Sequence, residues 1–154
     1  MTNPRSSRAE TTAQLMGLAG LALVLGALGF QYIGHLPPCE MCHWQRWPHI
    51  AAAILGLAVI KLWKNEARLL AMLTILLVAA SGLIGLYQTG MQYHLLPGPQ
   101  ACTGARYVVG SNAPAAEVRC DIPTWFLFGL ALPAYNAIFS LGAAALGTFL
   151  LVKK

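Results

Sequence analysis

The chain has 154 residues, of which 57% are hydrophobic and only 10% carry a charge, and its formal net charge is +5. Soluble globular domains carry about 25% charged residues. The composition therefore excludes an ordinary water-soluble domain and indicates a membrane protein.

Four long segments of the sequence contain no charged residue, and each holds an apolar run. About 20 apolar residues in a helix cross a hydrocarbon core of about 30 Å. We predict membrane-spanning helices near residues 13–34, 48–62, 69–93 and 125–152. These helices use up the chain, so the sequence predicts an all-α bundle of four transmembrane helices, as a single domain over residues 1–154.

Basic residues are concentrated on one side of the predicted membrane. Seven of the ten lie in the N-terminal tail, the second connection and the C-terminus: Arg5, Arg8, Lys61, Lys64, Arg68, Lys153 and Lys154. Because Lys and Arg favour the cytoplasmic side, we expect both termini in the cytoplasm and two loops outside. The positive net charge then reflects the topology of the chain in the membrane, and we expect no nucleic-acid partner. The first apolar run exceeds the core of a signal peptide, which is about 7–15 residues long, so we expect it to be retained.

Four cysteines form two pairs, Cys39/Cys42 and Cys102/Cys120, one pair in each outward loop. In an oxidising compartment such as the bacterial periplasm, disulfides are expected. The pairs could therefore be two structural disulfides, or a bridge between the loops. The second pair lacks the C-x-x-C spacing of a zinc ribbon, so we expect no metal site. A further hypothesis is an electron path in which the Cys102/Cys120 pair, exposed to water, passes electrons to the Cys39/Cys42 pair at the lipid boundary.

The C-x-x-C pair stands at the start of the second predicted helix, directly after Pro37 and Pro38. A thiol at a helix start lies near the positive end of the helix dipole, which lowers its pKa and makes it reactive. Arg46 follows Cys42 by one helical turn. Its guanidinium would stabilise a thiolate at Cys42 or an anionic species beside it, and His49 extends the same polar stripe.

The position of Arg46 also bears on membrane depth. The 16 residues from Trp47 to Leu62 form about 24 Å of helix, which is shorter than the hydrocarbon core. The helix must therefore begin earlier and draw Arg46 toward the lipid boundary, where a charge is a functional candidate. The alternative is an arginine that extends to the lipid headgroups.

These features together resemble the disulfide bond formation protein B (DsbB) family. The resemblance covers four spans, Pro-Cys-x-x-Cys entering the second helix, Arg four residues after the second cysteine, and a cysteine pair in the long second outward loop. The segment from Trp125 to Leu130, followed by Tyr135-Asn136, is similar to the start of the family's fourth helix.

The resemblance implies a thiol:quinone oxidoreductase of the bacterial inner membrane that reoxidises a periplasmic DsbA-like partner. Cys102 would form the mixed disulfide with the partner, and Cys120 would be its companion. Electrons would pass to Cys39 and Cys42, and Cys42 would act on a ubiquinone or menaquinone headgroup beside Arg46.

The family also associates a histidine near the end of the third helix with the quinone site. In this sequence Gln88, Gln92 and His94 are the candidates for that role. We expect Gln92, with Arg46 and His49, to bind the quinone, and His94 to be a loop residue.

Two rival interpretations remain open. A vitamin K epoxide reductase-like enzyme also couples quinones to cysteine pairs, but its C-x-x-C belongs near the end of the sequence. A non-catalytic membrane scaffold or transporter subunit would use the cysteines only as structural disulfides, and such disulfides resist reduction.

Overall fold

The structure is a computed structural model that describes residues 4–61, 66–99, 102 and 118–153. In these ranges the helices are α1 (Pro4–Tyr32), α2 (Glu40–Lys61), α3 (Ala67–Gln92) and α4 (Leu132–Val152). A small antiparallel hairpin of β1 (Phe126–Leu127) and β2 (Leu130–Ala131) precedes α4. Most of the second outward loop lies outside the described residues, as does Lys64.

Three of these helices, with bounds of Ser7–Tyr32, Ala67–Gln92 and Leu132–Val152, are long and apolar enough to cross a membrane. Large apolar side chains cover the outside of the bundle, and Leu76 and Phe149 are each at least 60% exposed. Such a surface suits lipid rather than water. The first half of α2 is more polar, because it carries Arg46 and His49, and its crossing stays a prediction.

Three helix starts lie well away from the starts of the predicted spans. Helix α1 begins at Pro4 rather than at residue 13. Helix α2 begins at Glu40 rather than at residue 48, and Pro48 lies inside it. The earlier start agrees with the expectation that a helix from Trp47 to Leu62 is too short to cross the hydrocarbon core. Helix α4 begins at Leu132 rather than at residue 125, because Phe128 and Gly129 both have positive φ angles, of 49° and 78°. Two such residues form the tight turn that a two-residue hairpin prefers.

Pro133 occupies the first turn of α4. A helix needs no backbone N–H from its first residues, and the fixed φ of proline suits this position. The residue therefore helps to start α4 and does not bend it.

Glycines allow the helices to approach closely. A Cβ atom on Gly17 of α1 would lie 2.9 Å from the Cα of Gly56 on α2, and one on Gly85 of α3 would lie 2.8 Å from the carbonyl oxygen of Pro133 on α4. At the far end of the bundle from the cysteines, the Arg8 guanidinium donates a hydrogen bond to the carbonyl of Lys153 over 2.7 Å. The N-terminus of α1 and the C-terminus of α4 therefore lie at the same end of the bundle.

Candidate redox site and adjoining cavity

The structure brings the four cysteines into one cluster. Cys39 and Cys102 are each 4% exposed and Cys120 is fully buried, and they pack with Met41 and Met91 while Cys42 borders the cluster. The backbone N–H of Cys120 donates to the carbonyl oxygen of Cys102 over 3.0 Å. The two cysteine pairs thus meet at one end of the bundle.

The sulfur of Cys39 is the acceptor at the centre of this cluster. Cys39 directly precedes α2, and its Sγ accepts a hydrogen bond from the backbone N–H of Cys42 over 3.3 Å, in the place where a helix N-cap side chain would act. The Gln88 amide nitrogen also donates to it over 3.2 Å. The thiols of Cys120 and then Cys42 contribute most, and together these donors lower the pKa of Cys39 from 9.0 to about 3 although the group is buried.

The pKa values of the two cysteines in the second loop are raised rather than lowered. The hydrogen bond that Cys120 donates to Cys39, together with burial, raises the pKa of Cys120. Burial is the main cause that raises the pKa of Cys102. In the reduced cluster the geometry therefore favours a thiolate at Cys39, whereas the sequence suggested that Arg46 stabilises a thiolate at Cys42 or an anionic species beside it. In thiol–disulfide exchange a thiol of low pKa leaves faster from a disulfide, so the low pKa favours release of Cys39 as a thiolate.

Arg46 lies one turn after Cys42, but α1 holds its guanidinium. The Nη1 atom donates to the Gln31 side-chain oxygen over 2.6 Å and Nη2 lies 3.5 Å from the Ala27 carbonyl oxygen. Its Nε is buried and has no hydrogen-bond partner. Gln31 is not among the residues predicted from the sequence, although a polar residue at the end of an apolar run was a usable signal.

A chain of side-chain hydrogen bonds runs from the cluster into the bundle. The oxygen of Gln88 accepts from Gln45 Nε2 over 2.6 Å, the oxygen of Gln45 accepts from Asn136 Nδ2 over 2.8 Å, and Asn136 Oδ1 lies 3.0 Å from His49 Nε2. Cys39 and His49 are thus connected through three amides from three helices. These hydrogen bonds fix the orientation of the three amides, while His49 Nδ1 is left without a partner.

A cavity of about 250 Å³ lies beside the cysteine cluster. Its polar lining includes Cys39, Cys42, Arg46, His49, Gln88 and Gln92. Its wall is largely apolar and aromatic, with Phe30, Trp125, Tyr135 and Phe139 among the lining residues. An apolar cavity of about 150 Å³ can hold benzene, so this one has room for a substituted six-membered ring.

The three candidates for quinone binding near the end of α3 lie in different surroundings. Gln92 lines the cavity and its amide nitrogen donates to the Cys120 carbonyl over 3.1 Å, while Gln88 lines it and contacts Cys39. His94 is exposed, with a φ of 58°, in the turn after α3. The structure therefore places both glutamines at the cavity and His94 in a loop.

Comparisons with known proteins identify the family of the chain. A family model described as disulfide bond formation protein DsbB matches residues 9–150. The chain is 29% identical to disulfide bond formation protein B of Cupriavidus metallidurans, with 88% of each chain covered. It is also 29% identical to the protein of that name from Dechloromonas aromatica, with 90% of each covered. No solved structure gives a significant match. The chain therefore belongs to the DsbB family of membrane proteins that form disulfide bonds.

Proposed function

We propose that this protein is a thiol:quinone oxidoreductase of the bacterial inner membrane. It reoxidises a periplasmic DsbA-like dithiol and passes the electrons through Cys102/Cys120 and Cys39/Cys42 to ubiquinone or menaquinone. The chain crosses the membrane four times, with both termini in the cytoplasm and both cysteine loops in the periplasm. The concentration of basic residues on one side of the predicted membrane supports this orientation.

One observation supports the quinone assignment most directly. The cavity that Cys39 and Cys42 line is also lined by Arg46, His49 and Gln92, and each of these three carries a buried polar atom without a hydrogen-bond partner. Leaving buried polar atoms unpaired costs free energy. The apolar ring of a quinone headgroup fits the wall, and its ring oxygens, in the oxidised or the reduced form, are the polar groups that such atoms can contact.

The cluster also suggests how electrons move between the two pairs. Each exchange forms one S–S bond and breaks another, so two electrons pass without a free intermediate carrier. Cys120 and Cys39 are in hydrogen-bonding contact. Once the partner has reduced the second-loop pair, Cys120 loses its proton and attacks Cys39, so that a Cys39–Cys120 bond forms and the Cys39–Cys42 bond breaks. Cys102 then attacks Cys120, which re-forms the Cys102–Cys120 disulfide and releases Cys39 as its stabilised thiolate. Re-formation of the Cys39–Cys42 disulfide would pass the two electrons, with two protons, to a bound quinone and give a hydroquinone.

The decisive experiment is anaerobic quinone reduction by the purified protein, with a reduced thioredoxin-like periplasmic oxidase as donor and quinone absorbance as readout. We expect turnover in the wild type and none after Cys42→Ser. Cys42→Ser activity equal to wild type would refute the relay. Absence of turnover with either quinone, in folded protein with four competent thiols, would favour a scaffold with structural disulfides. The vitamin K epoxide reductase-like alternative loses support, because the DsbB match spans nearly the whole chain.

A further inference from the structure

Three buried side-chain atoms in the described residues lack a hydrogen-bond partner, and all three belong to residues that line the cavity. They are Arg46 Nε, His49 Nδ1 and Gln92 Oε1. His49 is the most enclosed, at 3% exposure. Whether each atom donates or accepts a hydrogen bond decides which ligand it can recognise.

The network behind His49 determines its tautomer. Asn136 Nδ2 donates to Gln45 Oε1 over 2.8 Å and to the Ser81 carbonyl over 3.2 Å, which fixes the orientation of the amide. Asn136 Oδ1, which can only accept, therefore faces His49 Nε2 over 3.0 Å. Ser140 Oγ, 3.2 Å from the same nitrogen, directs its own hydrogen to Asn136 Oδ1 over 3.0 Å. Nε2 must carry the hydrogen, so Nδ1 of the neutral ring is an acceptor.

The amide of Gln92 is fixed in a comparable way. Its Nε2 donates to the carbonyl oxygen of Cys120 over 3.1 Å. Rotating the amide by 180° would bring two oxygens together, so Oε1 is the atom left without a partner. The cavity therefore presents two unsatisfied acceptors, one from α2 and one from α3.

We propose that His49 Nδ1 and Gln92 Oε1 accept hydrogen bonds from the hydroxyl groups of a hydroquinone, so that the cavity binds the reduced headgroup more tightly than the quinone. The inference rests on the proposed function and extends it. The ring oxygens of a quinone only accept hydrogen bonds, whereas a hydroquinone has two O–H donors. The donor Arg46 Nε can bind an oxygen of either form and does not discriminate.

The preference has a chemical consequence. If each acceptor favours the hydroquinone roughly tenfold, the two together favour it by up to about a hundredfold. Tighter binding of the reduced form makes the bound quinone a stronger oxidant, by about 30 mV for each factor of ten in a two-electron couple. His49 and Gln92 would then help to draw electrons from Cys39 and Cys42 without touching either sulfur.

Binding can be measured without electron transfer in a variant with all four cysteines replaced by serine. Without a thiol the protein can neither pass electrons to the quinone nor add to its ring, so neither ligand reacts. The probes are decyl-substituted dimethoxybenzoquinone and its hydroquinone, titrated anaerobically in detergent. Quenching of Trp125 fluorescence is the readout, because this ring lines the cavity.

We expect the hydroquinone to bind at least tenfold more tightly than the quinone. His49→Phe and Gln92→Leu should each reduce this ratio several-fold by weakening hydroquinone binding. His43→Phe is the matched control, because His43 lies on the same helix but is exposed, and it should leave the ratio unchanged. Equal affinities for the two forms would overturn the inference and leave the proposed function standing. Failure of both forms to bind to folded protein would overturn both.

A second readout requires no substitution at His49 or Gln92. Nitrogen-15 NMR of histidine-labelled protein should show His49 with its hydrogen on Nε2, and the Nδ1 resonance should shift on addition of the hydroquinone but not of the quinone. A hydrogen on Nδ1 of the neutral ring, or an equal shift with both ligands, would contradict the inference.

Discussion

The amide nitrogen of Gln88 donates a hydrogen bond to the sulfur of Cys39 over 3.2 Å. The same nitrogen lies 3.2 Å from the carbonyl oxygen of Cys120, so a single amide contacts both outward loops. Gln88 is 1% exposed, on α3. The third helix therefore contacts both cysteine pairs through one side chain that also lines the cavity.

Replacing Gln88 by leucine should make Cys39 harder to ionise. Hydrogen bonds to charged groups contribute about 1.5–3 kcal/mol, so losing one should raise the pKa of Cys39 by about one to two. The measurement is thiolate absorbance at 240 nm in reduced protein as the pH is lowered. Gln14→Leu, a matched change on α1 outside the site, should not alter the titration, and an unchanged Cys39 midpoint in Gln88→Leu would show that the amide has no electrostatic effect.

The sign of this pH dependence follows from the position of the Cys39 pKa. The folded value of about 3 lies below the ordinary 9.0. The stability that the thiolate provides is therefore fully present above pH 9, decreases below it, and is lost as the pH falls through about 3. Reduced wild-type protein should keep one thiolate signal down to that range.

A pair of substitutions at Cys120 tests the main cause of the low Cys39 pKa. Cys120→Ala removes the thiol that contributes most to it, whereas Cys120→Ser keeps an O–H donor at the same place. Alanine should therefore raise the pKa of Cys39 clearly more than serine does, in the same absorbance titration. If the two variants titrated alike, Cys120 would not be the donor that stabilises the thiolate.

The sequence predicted the membrane class, the C-x-x-C at a helix start and the one-turn spacing to Arg46, because helical periodicity and charge placement are local signals. It did not predict the contact of Cys39 with Cys120 or with Gln88. Those contacts depend on how α2, α3 and the second loop pack, which one sequence does not encode in any local pattern. The start of α4 was also predicted wrongly, since apolar content alone cannot distinguish the hairpin around Phe128 from a helical turn.

Cys102→Ser should lower turnover with a protein donor much more than turnover with a small dithiol. According to the proposed function, a DsbA-like donor enters through this thiol, so the variant should lose at least about 90% of turnover with the protein donor. A small dithiol such as dithiothreitol can reduce the Cys39/Cys42 pair directly, and turnover with it should stay within about twofold of wild type. Anaerobic quinone reduction with each donor measures both rates. Equal losses with the two donors would mean that Cys102 is needed for the cluster's structure instead.

Arg46→Ala should weaken quinone binding more than partner binding. The guanidinium lines the cavity and its Nε has no partner, so a lost charged donor should raise the apparent KM for quinone at least about tenfold. Arg68→Ala, an exposed arginine at the other end of the bundle, is the control. If the quinone KM were unchanged while stability fell, Arg46 would be an anchor to Gln31 of α1 rather than a ligand.

Gly85→Ala tests whether the close approach of α3 and α4 supports the site. The added Cβ would lie 2.8 Å from the Pro133 carbonyl oxygen and 3.1 Å from Asn136 Nδ2. The backbone of α4 must then move, which should cost about 1–3 kcal/mol in a denaturant titration of the detergent-solubilised protein. Gly142→Ala is the matched control, because a Cβ there meets nothing within 4 Å, and its effect should be neutral or slightly stabilising. Since Asn136 orients His49, Gly85→Ala should also weaken hydroquinone binding; lost stability with intact hydroquinone binding would show that the network tolerates displacement of α4.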